Sequence, residues 1–187
     1  LSVPRELFVP QGLAEIAYLD EELPLGEGRF LIAPAPLARL LQAAMITPAD
    51  NVLDIGCATG YSTALIATLG ATVTGLEASP GLAGKARAAI ATLGLQTATI
   101  SEGRLEAGLA ASAPFDVIFI GGSVEQLPEA LKGQLKPGGR LVAVEGRGNS
   151  AFATIYVNDD GNVSGRRLFN CALPLLPGFE RTPQFVF

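Results

Sequence analysis

The chain has 187 residues, 49% apolar and only 17% charged, so it is long and hydrophobic enough to fold around a real core rather than stay disordered. Its 13 bases against 18 acids give a net charge of −5 with no basic run, which argues against RNA or DNA as partner, because such binding draws on clustered Lys and Arg. No apolar run is long enough for a membrane span. Histidine is absent, and Cys57 and Cys171 form neither a CxxC pair nor a disulfide framework, so His-based triads fall away, no metal site is expected, and a cytoplasmic location fits.

The numbering opens at Leu1 rather than Met, which suggests residues missing before it and leaves a removed signal open. Residues 1–33 are rich in turn formers, among them Pro4, Pro10, Gly12, Pro24, Gly26 and Gly28, with one short helical candidate near Leu13–Leu19; they read as a lid packed on a core. Within Pro34–Ile46, Leu37, Leu40, Leu41, Ala44 and Met45 recur at helical spacing, and Thr47-Pro48-Ala49-Asp50 closes that helix.

Residues 34–146 form the predicted α/β core. Strands are expected at Asn51–Ile55, Ala71–Glu77, Gln96–Ser101, Phe115–Gly121 and Arg140–Glu145, and helices at Tyr61–Leu69, Pro80–Leu93, about Leu105–Ala111 and Val124–Leu135. This alternation predicts a doubly wound, mostly parallel Rossmann-like sheet within a single domain. Residues 147–187 read differently. Ala151–Asn158 alternates apolar and polar residues, Asp159-Asp160-Gly161-Asn162 is a turn, and Val163–Phe169 is its hairpin partner; Pro174, Pro177 and Pro183 then interrupt the chain before Gln184–Phe187.

The stretch that organises the core is Asn51–Gly60, NVLDIGCATG, where a buried strand runs into a small-residue loop and then a helix, a turn that aims backbone N–H groups at a ligand. Ala58 stands near the place where a dinucleotide fingerprint needs its middle glycine, which weakens a nicotinamide or flavin reading, and no GKS or GKT is present to make a phosphate-gripping loop. S-adenosylmethionine carries no phosphate; its methionine part suits a small-residue loop and its ribose hydroxyls suit a carboxylate at the tip of the next strand. Glu77 ends that strand about 20 residues past the loop, the separation at which a carboxylate meets ribose in βαβ units. Asp54 either orients the loop or receives the methionine ammonium, directly or through water. The plainer alternative is a tight turn at Gly56 and Gly60 with Glu77 an exposed strand end.

The segments VPRELFVP (Val3–Pro10), AYLDEELPLGEG (Ala17–Gly28), VLDIGCATGYSTALIATL (Val52–Leu69) and APFDVIFIGGSVEQLPEALKGQLKPGGRLV (Ala113–Val142) resemble, in the same order, those of the protein-L-isoaspartate O-methyltransferases, a family of class I S-adenosylmethionine-dependent methyltransferases. The first two blocks are the more specific ones. The resemblance implies that Gly56, Ala58, Gly60 and Tyr61 line the methionine end of the cofactor, that Glu77 binds ribose, and that Ala78 with Gly103, Arg104 and Leu105 flanks adenine. Where the family carries G-D-G this chain has Gly103-Arg104-Leu105, so an acid expected at the adenine amino group becomes a guanidinium with no acceptor to offer. Where the family carries T-I-S-x-P this chain reads Phe30-Leu31-Ile32-Ala33-Pro34, so two hydroxyls facing the reacting carboxylate become apolar.

Phe30 and Ile32 therefore either pack a core beneath the lid or wall an apolar acceptor pocket. Ser123, in Gly121-Gly122-Ser123 at a strand end, is the nearest alternative hydroxyl donor. Asp116 and Lys136–Gly139 read as architectural, Cys57 as a small packing residue, and Arg29 and Arg39 as surface cations near the mouth of the site. The expected activity is methyl transfer to a carboxylate of a protein or peptide, with no nucleic-acid or membrane partner and no preference of oligomeric state. The alternative is a non-catalytic cofactor sensor or interaction protein on the same fold. An RNA methyltransferase is disfavoured by the acidic charge and the lack of an NPPY-like motif.

Overall fold

A computed structural model describes residues 2–181. Its centre is a seven-stranded sheet built from β3 (Asn51–Ile55), β4 (Thr72–Glu77), β5 (Ala98–Glu102), β6 (Phe115–Val124), β7 (Leu135–Glu145), β8 (Phe152–Asp159) and β9 (Asn162–Asn170), in the spatial order β5-β4-β3-β6-β7-β8-β9. The first five pair in parallel, and β8 and β9 add antiparallel at one edge. A separate two-stranded hairpin, β1 (Leu23–Gly26) and β2 (Arg29–Leu31), lies in the front segment. The expected α/β architecture with late antiparallel strands is present. The strand order reverses between β3 and β6, and in open α/β sheets the crevice at such a reversal, outside the carboxyl ends of the strands, is where ligands bind.

Successive residues of the central strands point to opposite faces, and each face buries its own core. Val52, Val73, Val117, Phe119 and Val142 pack against α1 (Pro34–Ala44), α2 (Tyr61–Thr68) and α3 (Pro80–Thr92) through Leu37, Leu40, Ile66 and Ile90. Leu53, Ile55, Leu76, Ile118 and Ile120 pack on the other face against Leu105, Leu131, Leu176 and Phe179.

That second face corrects two of the sequence expectations. Over Leu105–Ala111 there is no α-helix but two 3₁₀ turns, Leu105–Ala107 and Ala110–Ser112, and over Val124–Leu135 only one helical turn, α4 (Glu129–Lys132). Gly108 breaks the first with a φ of 65°, and Pro128 and Gly133 bracket the second. Gln134 holds the gap closed: its side-chain oxygen accepts from Leu109 N at 2.8 Å and its nitrogen donates to Ala107 O at 2.8 Å. A Cβ on Gly108 would lie 2.5 Å from that oxygen, so the glycine is required by space as well as by dihedral. The ends of the presumed helix belong to strands instead, because β6 runs on to Val124 and β7 starts at Leu135, before the Lys136–Gly139 turn residues.

In the front segment the helical candidate at Leu13–Leu19 is a 3₁₀ run over Gln11–Ile16. The segment is pinned by Arg5, which is buried, donates through Nε to Ala17 O and through Nη2 to Ile32 O at 2.6 Å each, and lies 4.9 Å over the Tyr61 ring. The late hairpin is as expected, with β8 and β9 joined by Asp160-Gly161 at φ 45° and 96°, the paired positive values of a tight two-residue turn. Pro183 and Gln184–Phe187 lie outside the described residues.

Candidate cofactor site at the carboxyl end of the sheet

The loop after β3 is shaped by left-handed backbone at Gly56 (φ 76°), Ala58 (φ 50°) and Gly60 (φ 93°). Gly56 N and Cys57 N both donate to Leu76 O, at 2.8 and 3.3 Å, which ties the loop to the tip of β4. Gly60 caps α2, and a Cβ there would meet Ala86 Cβ of α3 at 3.0 Å. Tyr61, the first residue of α2, forms an edge-on contact with Phe8 at 5.2 Å between centroids.

Asp54 and Glu77, both buried, sit on either side of this loop. Asp54 Oδ2 accepts from Ser62 Oγ at 2.7 Å and Thr63 Oγ1 at 2.6 Å, while its Oδ1 is without a hydrogen-bond partner among the described residues. Burial pushes the Asp54 carboxyl up to about 6, against the pull of those two hydroxyls, and the nearby Glu77 charge adds to the rise. Burial also drives the Cys57 thiol well up, helped by the Asp54 and Glu77 charges, so Cys57 is a packing residue and not a nucleophile.

Glu77 is not an exposed strand end. Its Oε1 accepts from Ala78 N at 2.9 Å and Ser79 N at 3.1 Å, and its Oε2 from Ala58 N at 2.8 Å. The remaining partner is Arg29, whose Nη1 lies 2.7 Å from both carboxylate oxygens and whose Nη2 donates to Gly56 O at 2.8 Å. Arg29 is only 4% exposed, which overturns the surface role read from the sequence. An arginine alone on a short strand carries no periodic or motif signal; the one available hint was that a buried Glu77 needs a cation. Arg39 does lie at the surface, stacked 3.8 Å over the Phe169 ring.

The other expected positions spread around this centre. Phe30 is partly exposed, whereas Ile32 is buried in the core beneath α1; together with Gly56, Ala58, Tyr61 and Gly121 they line a cavity of about 20 Å³. Ser123 is buried with its hydroxyl unpartnered among the described residues, while its backbone pairs with Pro174 O and Leu176 N of the segment after β9. Leu176 thereby reaches the loop, 3.0 Å from where a Cβ on Gly56 would stand. Ala78 is exposed, Gly103 is half-buried at the end of β5, and Leu105 packs into the core. The Arg104 side chain turns to solvent, 82% exposed, and pairs with Glu106. Among the described residues no cluster of His, Cys, Asp and Glu suits a metal ion, and no helix is long and apolar enough to cross a membrane.

Residues 1–176 match the family model described as protein-L-isoaspartate(D-aspartate) O-methyltransferase. A protein-L-isoaspartate O-methyltransferase of Methylorubrum extorquens is 43% identical over 75% of this chain, and the chain spans 61% of that relative's length. One of Koribacter versatilis is 37% identical over 94% of this chain and 79% of its own. A solved Plasmodium falciparum structure, described as a protein-L-isoaspartate O-methyltransferase in complex with S-adenosyl-L-homocysteine, superposes with a TM-score of 0.81 over 94% of this chain and 86% of its own, at 22% identity, and so speaks to the fold. With the expected sheet and loop in place and the family's segments in order along it, the chain belongs to the protein-L-isoaspartate(D-aspartate) O-methyltransferase family.

Proposed function

We propose that the chain binds S-adenosylmethionine at the β3–α2 loop and transfers its methyl group to a carboxylate of a protein or peptide, with an isoaspartyl side chain as the substrate the family membership points to. The observation that carries this reading is the pairing of two buried carboxylates with one left-handed loop: Glu77 at the tip of β4 and Asp54 inside β3, bracketing Gly56–Gly60.

The donor set fits the cofactor. A carboxylate at a strand tip suits a ribose diol, since two hydroxyl donors meet two acceptor oxygens. Asp54 Oδ1, buried without a partner among the described residues, is an acceptor suited to an ammonium. Gly56, Ala58 and Gly60 keep the loop free of bulk, and exposed Ala78 and half-buried Gly103 offer backbone and small apolar surface to an adenine edge in place of an acid, with Leu105 packed in the core behind them.

When bound, the cofactor supplies an electrophilic sulfonium methyl. The protein's part is to position the acceptor and exclude water, because a carboxylate is already nucleophilic and needs no general base. Phe30 and Ile32 wall the small cavity beside the loop, and Ser123 holds a buried, unpartnered hydroxyl near the end of β6. A cytoplasmic setting agrees with two free, buried cysteines.

Calorimetry with S-adenosylmethionine, followed by a methyl-transfer assay on an isoaspartyl peptide, tests the proposal in two steps. Saturable binding and ester formation are expected. Binding without methylation of any carboxylate peptide would replace the enzyme reading with that of a cofactor sensor, and absence of binding at millimolar ligand would remove the cofactor.

A further inference from the structure

Arg29 fills the hydrogen-bonding positions that a ribose would need. Glu77 has two oxygens and about four lone-pair directions. Three backbone N–H groups and the doubly contacting Nη1 of Arg29 use them, and the carboxylate is 1% exposed. A ribose diol therefore cannot reach Glu77 while the guanidinium stays. The second arm of Arg29 lies across Gly56 O, and the cavity on the Phe30 and Ile32 side of the loop, which does not extend to Glu77, is about 20 Å³. Small-molecule pockets run to about 300 Å³ or more.

The element that carries Arg29 is small and jointed. β1 and β2 are four and three residues long and pair only with each other. Their turn, Gly26-Glu27-Gly28, has φ of 90°, 54° and 70°. The hairpin rests on a minor apolar cluster in which Leu23, Leu25 and Leu31 touch Ala58 of the loop and Leu82 of α3. It is thus held down by this small apolar cluster, by Arg5 donating to Ile32 O just after β2, and by Arg29, whose bonds to Glu77 and Gly56 O sit inside the site.

We propose that Arg29 is an internal latch on the cofactor site, competing with the ribose for Glu77, so that the β1–β2 hairpin must release Glu77 before the cofactor can enter. The latch rests on the proposed cofactor reading. When only a fraction of molecules is open, apparent affinity falls by that fraction. Arg29 thereby sets the affinity and the entry rate, in addition to any contact it makes afterwards.

The test uses S-adenosylhomocysteine, which cannot react, with wild type, Arg29→Ala and Arg29→Gln, each checked for folding by circular dichroism. Calorimetry is expected to show binding about tenfold or more tighter in the variants, the factor by which a closed majority lowers apparent affinity. Stopped-flow tyrosine emission, to which Tyr61 in the cavity wall contributes in a chain without Trp, is expected to give a wild-type rate that levels off with ligand concentration and a variant rate that rises linearly. If neither variant folds, the wild-type rates decide alone: a rate that levels off with excess ligand but rises linearly with excess protein supports the latch, and the same dependence under both conditions overturns it. Equal affinity and equal linear kinetics in wild type and variants overturn the latch and leave the cofactor reading intact. No binding by any folded form removes both, and binding by the variants alone supports both.

Discussion

Arg29 and Glu77, 48 residues apart in sequence, meet through one nitrogen placed 2.7 Å from each carboxylate oxygen, and both side chains are almost wholly buried. The two partners are not equivalent. Glu77 without Arg29 keeps three backbone donors, whereas Arg29 without Glu77 keeps only Gly56 O and strands the N–H groups of Ala58, Ala78 and Ser79. Glu77→Ala should therefore cost about 3–5 kcal/mol of stability, the range for a buried charge left unpaired. Arg29→Ala should cost less, about 2–3 kcal/mol, because it removes the bonds to Glu77 and Gly56 O but leaves the carboxylate its three backbone donors. Urea denaturation of both measures this, and equal losses would contradict the asymmetry.

Asp54 predicts a pH dependence of the opposite sign to an ordinary ion-paired acid. Its folded value of about 6 lies above its ordinary 3.8, so the folded state holds the proton more tightly between those values. The resulting stabilisation is present below about pH 4 and is lost as pH rises through 6, by roughly 3 kcal/mol for the whole shift. Asp54→Asn should flatten this part of the stability–pH curve, and a variant that follows the wild-type slope would refute it. If the cofactor ammonium seats at Oδ1, its binding should strengthen as pH rises through the same window, because the deprotonated acceptor is then favoured.

Arg5 ties the front segment together through Ala17 O and Ile32 O and reaches the core only over the Tyr61 ring of α2. Arg5→Met should raise hydrogen exchange and protease sensitivity across residues 3–31 while amides of β3, β4 and β6 stay protected. Losing two buried bonds from a charged donor suggests a local cost of about 3–6 kcal/mol. Uniform loss of protection throughout the chain would show that the segment is integral to the core.

Restoring the family's hydroxyls tests the acceptor side. Phe30→Thr with Ile32→Ser should raise kcat/KM for an isoaspartyl peptide about tenfold, since an acceptor carboxylate regains two donors, each a modest contribution. Ile32 is buried in the core, so the serine should also lower stability by about 2–4 kcal/mol. No gain in methylation, with folding intact, would mean that the apolar wall suits a different acceptor.

The sequence made the centre of the fold legible because its signals are local. The apolar run Val52–Ile55, the glycines after it and the carboxylate at Glu77 are one strand, one turn and one strand end, each with its own spacing. The short elements of the second face escaped detection because Val124, Leu127, Leu131 and Leu135 give helical spacing, although they belong to a strand end, a loop, one helical turn and another strand. Arg29 escaped for another reason. Its partner is fixed only by how the front hairpin lies across the loop, and no window of sequence contains both.

The same separation bears on how the chain folds. β8 and β9 are joined by a two-residue turn and can zip locally, but β3 must find β6 across more than sixty residues, with Leu53 opposite Ile118. Long-range parallel pairing is slow because loop closure precedes its reward. The floor of the site is therefore finished late in folding, and until β3 and β6 join, the sheet's most apolar strand, Phe115–Ile120, has an open edge on the β3 side.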